Sequence, residues 1–310
     1  YYGGSVPEPL LPPDIAMQNP DLVGGYSFFV FPLLERILVM LDQNGDENYQ
    51  PMLIPIDGGF PEPAFENALA NLDASLPGWD FDVTRKAASD TWDKELSKIR
   101  IGAPNRDTKV VFYTALYHTM IAPSLFSDLN GEFKGVKGIV QKAEGYNRYT
   151  VFSLWDTYRA LHPLLTLTQP GRVNDMVKSM LDHYGQSGIL PVWELQGNET
   201  FCMVGNHSIP VISEAILKDI GDFDRKLAME AMMVTSMHDR DGMGLYDSLG
   251  YMPADLIQQS VAKSQEVAID DWCVAAAARK LGREPEAAYF TNRSKNYKNY
   301  FDRESGFMRG

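Results

Sequence analysis

The chain has 310 residues, 45% of them hydrophobic and 22% charged, and carries a net charge of −13. That length supports a large core and more than one structural part, while the acidic balance excludes nucleic acid or an anionic membrane surface as the main partner and suits a neutral, polar substrate. Cys202 and Cys273 are too few for a disulfide framework and lack zinc spacing, so both are read as buried free thiols.

The chain starts at Tyr1 rather than Met and no signal peptide is visible, so processing or a fragment boundary is expected. Residues 1–63 are rich in proline and glycine (VPEPLLPP, DGGFPEP) and hold short extended pieces, SFFVF and PMLIPI, which predicts an irregular or β-type N-terminal segment. Its most apolar stretch, 26–40, is broken by Pro32, Glu35 and Arg36. It is also shorter than the roughly 20 residues that span a bilayer, which makes it a buried strand or helix. Asp42, Asn44, Asp46 and Asn48 alternate like calcium-loop ligands. The glycine stands at Gly45, however, and no glutamate closes the loop, so a solvated turn is expected.

A linker is expected at 64–83 and a helical domain over 84–310. Apolar spacing predicts helices at 84–99 (a stripe of Ala87, Ala88, Trp92, Leu96 and Ile99) and 107–121, then a glycine-rich connector at 131–138. Further helices are predicted at 150–165, from Pro170 to before Gly185, from after His207 to before Gly221, and at 223–237, 263–281 and 285–301. The fold class is therefore mainly α. Helices joined by alternately short and long connections suit helical hairpins, of which an (α/α) barrel is one arrangement and a bundle or solenoid are others.

The densest polar stretch is 188–210, GILPVWELQGNETFCMVGNHSIP, where Glu194, Asn198, Glu199, Asn206 and His207 stand beside Trp193 and Phe201. It reads as a structured loop opening into a helix, and a carboxylate beside aromatics can serve as an acid near neutral pH. In FSLWDTYRALHPLLTL, Trp155 and Asp156 pair an aromatic plate with a carboxylate, as a sugar site does. The alternative is a core tryptophan with Asp156 paired to Arg159 or Arg148. In SQEVAIDDWCVAAAARKLG, Asp271 falls on the apolar stripe Val267, Val274, Ala278, Leu281, and with Glu266 and Asp270 makes an inward acidic cluster. That cluster is a calcium site, a polyhydroxyl clamp, or a buried ion-pair network. His118 and His162 read as core histidines.

Taken together, FYTALYHTMIAPSLFSDLNGEFKG (112–135), YTVFSLWDTYRALHPLLTL (149–167), GNETFCMVGNHSIPVISEA (197–215), GYMPAD (250–255), EVAIDDWCVAAAARKLG (266–282) and NRSKNYKNYFDRESGFMRG (292–310) resemble the calcium-dependent exo-α-mannosidases of glycoside hydrolase family 92, in the family's order. ANLDASLPGWDFDVTRKAASDTW (70–92) is similar to the family's junction between domains.

The resemblance implies a β-sandwich followed by an (α/α)₆ barrel, incomplete here, with residues 1–63 as a remnant of the sandwich and the active site between the domains. It implies an inverting, calcium-assisted removal of terminal α-mannose, with α-1,2 linkages expected, from N-glycans or mannans. Glu199 would be the general acid. Trp155, Asp156, His207 and Glu266 would hold the mannose, Glu266 would also ligate Ca²⁺, and the general base would lie outside this chain, leaving it inactive alone. The implied partners are a mannose-containing oligosaccharide and the remainder of the same polypeptide, with no nucleic acid and no membrane span. The implied location is secreted, periplasmic or cell-surface. Asn206 stands where the family usually has tyrosine. Another (α/α)-barrel glycosidase and a non-catalytic glycan-binding or structural barrel are the alternatives.

Overall fold

The computed structural model describes residues 28–31, 36–42, 49–55, 62–76 and 78–309. The chain divides into two compact units, Tyr1–Thr84 with Asp128–Asn130, and Arg85–Ser127 with Gly131–Gly310. In the first unit, β1 (Phe28–Phe31), β2 (Arg36–Asp42) and β3 (Tyr49–Pro55) form an antiparallel meander, with Phe28 opposite Val39 and Arg36 opposite Pro55. The stretch left open between strand and helix is thus strand where it is described. Asn44, Asp46 and Asn48, read as a solvated turn, lie outside the described residues. The stretch expected to be linker carries a helix, α1 (Glu62–Ser75). Its proline at the second position and its alanine, leucine and glutamate residues favour that state.

The second unit is mainly α, as expected. α2 (Phe81–Leu96) has no buried residue: the predicted stripe stays largely uncovered, and Trp92 packs edge-on with Tyr117, with ring centroids 4.6 Å apart. α3 (Arg106–His118) starts at Asn105, whose side chain accepts from the Thr108 N–H, and ends with His118 exposed rather than in the core. Short strands follow: β4 (Ser124–Leu125), the hairpin β5 (Glu132–Lys134) and β6 (Val140–Lys142), then β7 (Tyr149–Thr150) pairing with β4, and β8 (Phe152–Ser153).

The single helix predicted at 150–165 is instead β7, β8, α4 (Leu154–Thr157) and α5 (Leu161–Thr168). Pro163 has no N–H for an upstream carbonyl, so a helix can begin there but not run through from 150. α6 (Pro170–Ser187) runs past Gly185 to Gly188, whose φ of 84° supplies the left-handed cap. Then come β9 (Trp193–Leu195), β10 (Asn198–Glu199), α7 (Ser208–Leu217), α8 (Arg225–Met237), α9 (Met243–Leu249), α10 (Ser260–Lys280) and α11 (Glu284–Arg293). The last predicted helix stops eight residues early, because the chain turns into a 3₁₀ segment at Asn296–Tyr300 whose Tyr300 hydroxyl bonds Met252 and Ser264.

The core lies among α6, α7, α8 and α10, with Val177, Met180, Ile212, Ile216, Met229, Met232 and Val274 fully buried. Each such side chain contributes about 1.5–3 kcal/mol. Ala275, Ala277 and Ala278 let α10 approach its neighbours closely. Asp271 on that stripe is buried and paired: its Oδ1 accepts from Arg293 Nη1 at 2.8 Å and Ser236 Oγ at 2.6 Å. For this residue the ion-pair alternative holds.

Candidate active site

The site is built on a three-stranded antiparallel sheet in the order β10-β9-β8, with Glu199 opposite Glu194 and Ser153 opposite Trp193. Alternating direction brings the end of β8, the start of β9 and the end of β10 to one edge. From that edge the chain enters α4, with Trp155 and Asp156, on one side, and the 200–207 loop on the other.

The β9–β10 turn is fixed by its own side chains. Gln196 and Gly197 have φ of 50° and 85°, the left-handed pair of a two-residue hairpin. A Cβ on Gly197 would lie 2.3 Å from the Lys134 carbonyl oxygen, so only glycine fits. Glu194 is fully buried beneath the turn; its Oε1 accepts from Thr150 Oγ1 (3.1 Å) and the Gly197 N–H. Thr150 Oγ1 in turn accepts from the Gln196 N–H at 2.7 Å. Burial pushes the Glu194 carboxyl up, against the opposing charge of Arg148.

Glu199 is half-buried, with its carboxylate turned into the backbone. Oε2 accepts from the Val192 N–H (2.6 Å), and Oε1 from the N–H groups of Trp193 (3.0 Å), Thr200 (2.8 Å) and Phe201 (2.7 Å). Beyond it, Phe201, Met203 and Gly205 all have positive φ. Cys202, expected to be buried, is exposed in this loop, because the apolar neighbours that suggested burial, Phe201 and Met203, are themselves exposed.

Trp155, His207 and Glu266, widely separated in the chain, converge. Glu266 Oε1 accepts from Trp155 Nε1 and Arg159 Nη2, each at 3.0 Å, and Oε2 from the Tyr158 hydroxyl at 3.4 Å. His207 is buried and stacked on Tyr158, ring centroids 4.2 Å apart. Its Nδ1 lies 2.9 Å from Asp270 Oδ1, and its Nε2 makes an ionic contact at 3.2 Å with Glu266 Oε2. Asp270 Oδ2 accepts from the Asn206 N–H at 2.7 Å. Burial opposes charge on His207, but the Asp270 carboxylate and Glu266 outweigh it and raise the imidazole to about 9. Burial likewise opposes ionisation of Glu266, and hydrogen bonds from His207 and Trp155 with the charges of His207 and Arg159 bring it down to about 2.

Asp156 is exposed and accepts from Ser153 Oγ rather than pairing with Arg159, which serves Glu266, or Arg148, which is buried against Tyr149 and Asp182. His162 is in the core as expected, but neither ring nitrogen has a hydrogen-bond partner among the described residues, and burial alone lowers it to about 4. The acidic cluster on α10 therefore divides: Asp271 joins the core network, while Asp270 and Glu266 clamp His207.

Tyr158 and Arg240 were not singled out in the sequence, and Arg159 was read only as a partner for Asp156. Tyr158 and Arg159 follow Trp155 at three and four residues, a spacing that places side chains on one helical face. Arg240, whose Nη2 donates to Asn206 Oδ1 at 3.2 Å, has no local signal.

Calcium takes six to eight oxygen ligands. As arranged here, the residues do not fit it. Both Glu266 oxygens face N–H and O–H donors, and no group of three or more His, Cys, Asp or Glu side chains among the described residues could hold a metal ion.

Residues 67–310 match the glycosyl hydrolase family 92 catalytic domain. An α-mannosidase of family 92 from Bacteroides thetaiotaomicron, solved in complex with mannoimidazole, is 39% identical with a TM-score of 0.78, covering 84% of this chain and 35% of that one. An inverting family 92 mannosidase from the same organism is 25% identical with a TM-score of 0.77, covering 92% of this chain and 46% of that one. A curated relative from Arthroderma benhamiae, an uncharacterized secreted glycosidase, is 26% identical over 257 residues, which is 76% of this chain and 29% of the relative. The chain thus spans about a third of the first relatives' length.

Proposed function

The chain belongs to glycoside hydrolase family 92, whose (α/α)-barrel catalytic fold it carries in part, and on that premise we propose that it is the acid-bearing portion of an exo-acting α-mannosidase that works with inversion. The observation that carries this is the β10-β9-β8 sheet, which sets Glu199 at the same end as the entry to Trp155, whose Nε1 donates to Glu266 on α10. Glu199 is the general acid, turning from its backbone cradle to protonate the leaving oxygen. Trp155 packs on the apolar face of the terminal mannose, Asp156 accepts from its hydroxyls, and Glu266, aligned by His207, does the same. A base must activate water on the opposite face, roughly 6.5–9.5 Å from the acid. Support for a base outside this chain is that Asp270 and Asp271 are fully buried and Glu266 is engaged by three hydrogen-bond donors and an ionic contact with His207.

Calcium is proposed on the resemblance alone: the donors now on Glu266 would have to give way and further ligands would have to come from outside the described residues, and no step is derived through the ion. Substrates are terminal α-1,2-mannosides of N-glycans or mannans, and the location is secreted, periplasmic or cell-surface. The test is mannose release from α-1,2-mannobiose by the full-length protein, with the product anomer read by NMR. β-Mannose appearing first supports the proposal; no release, or α-mannose first, refutes it.

A further inference from the structure

Phe201 lies two residues beyond Glu199, and mannose binding on the Trp155 side gives it no task. Phe201 is 49% exposed. Its N–H donates to Glu199 Oε1 at 2.7 Å, so the backbone that carries the ring is part of the cradle of the proposed acid. Its φ of 53° is in the left-handed region, which a bulky side chain enters only when its surroundings enforce it, and such residues gather at functional sites. The ring is also braced. The Arg240 guanidinium stands 4.6 Å from its centroid, and Arg240 is anchored to Asn206, whose N–H is held by Asp270. An exposed aromatic ring held rigidly against a cation is a prepared surface rather than a loose side chain.

Its position suggests what it prepares for. Trp155 follows β8 and Phe201 follows β10, on opposite sides of the central β9. A general acid delivers its proton to the oxygen joining two sugars, so it sits between them. With mannose on the Trp155 side, the departing sugar falls on the other side of Glu199. Resting on the mannosidase proposal above, we propose that Phe201, held by Arg240, is the platform on which the leaving-group sugar stacks. It would set selectivity for a sugar over other leaving groups.

The experiment compares full-length wild type, Phe201→Leu and Phe201→Tyr on two substrates: the α-linked mannobiose that wild type cleaves best, and α-mannosyl fluoride, whose leaving group is a single atom. Loss of the aromatic face should lower kcat/KM on mannobiose about tenfold, mainly through KM, with the fluoride within about twofold. Phe201→Tyr should restore wild-type selectivity. Equal losses on both substrates, no loss on mannobiose, or failure of tyrosine to restore selectivity would overturn the platform. A wild type that turns over neither substrate would instead overturn the mannosidase proposal, and the platform with it.

Discussion

Replacing Glu199 with glutamine separates two roles that the structure gives this residue. The carboxylate supplies acceptors to four N–H groups, from Val192, Trp193, Thr200 and Phe201. Glutamine has one carbonyl oxygen and one amino group. If the oxygen keeps the three donors on the Oε1 side, the amino group faces the Val192 N–H, and one donor loses its acceptor. That costs about 1–3 kcal/mol, which lowers Tm by a few degrees. The catalytic loss is separate. Without a proton to give, turnover of mannobiose should fall by about 10²–10⁴, or roughly 3–5 kcal/mol of barrier. A 2,4-dinitrophenyl mannoside, which departs without protonation, should lose less than about tenfold. Assays of both substrates and a melting curve on the full-length protein separate the terms. An equal loss on both substrates, with a lowered Tm, would mean that Glu199 only holds the hairpin together, and the acid would have to be sought elsewhere.

Arg293→Met should destabilise the fold by about 3–5 kcal/mol at pH 8, since it strands the buried Asp271 carboxylate. Burial already raises Asp271 to about 7, above its ordinary 3.8, so the folded state binds the extra proton and stability falls as pH rises from about 4 to 7. Losing Arg293 raises that carboxyl further, so the deficit measured by thermal melts should be smaller at pH 5 than at pH 8; a deficit independent of pH would remove the charge explanation. Gly197→Ala places a Cβ against the Lys134 carbonyl at a positive φ and should lower both Tm and kcat by displacing Glu199; unchanged values would show that the turn is not fixed as described. Chelation should abolish mannose release by the full-length protein and added calcium restore it, whereas full turnover in demonstrably metal-free protein would eliminate the ion.

Local chemistry determined much of this protein in advance. Helical spacing gave α6, α7, α8 and α10 nearly to their ends, because a long apolar stripe specifies both the helix and the face it buries. The motifs gave the family and marked Trp155, Glu199, His207 and Glu266 as candidates. Tertiary structure decided how those residues are used. Phe152 and Ser153 read as helix until Glu194 and Trp193 offer them a sheet partner, and that pairing places Trp155 at the same edge as Glu199. Asp270 and Asp271 are adjacent and alike in sequence. One faces His207 and the other Arg293, because successive helical residues point in different directions and the partners come from other segments, the loop before α7 and the end of α11. Arg240 reaches Asn206 and Phe201 across more than thirty residues of chain. A contact of that kind depends on where packing brings two backbones together, which no spacing within a single segment records.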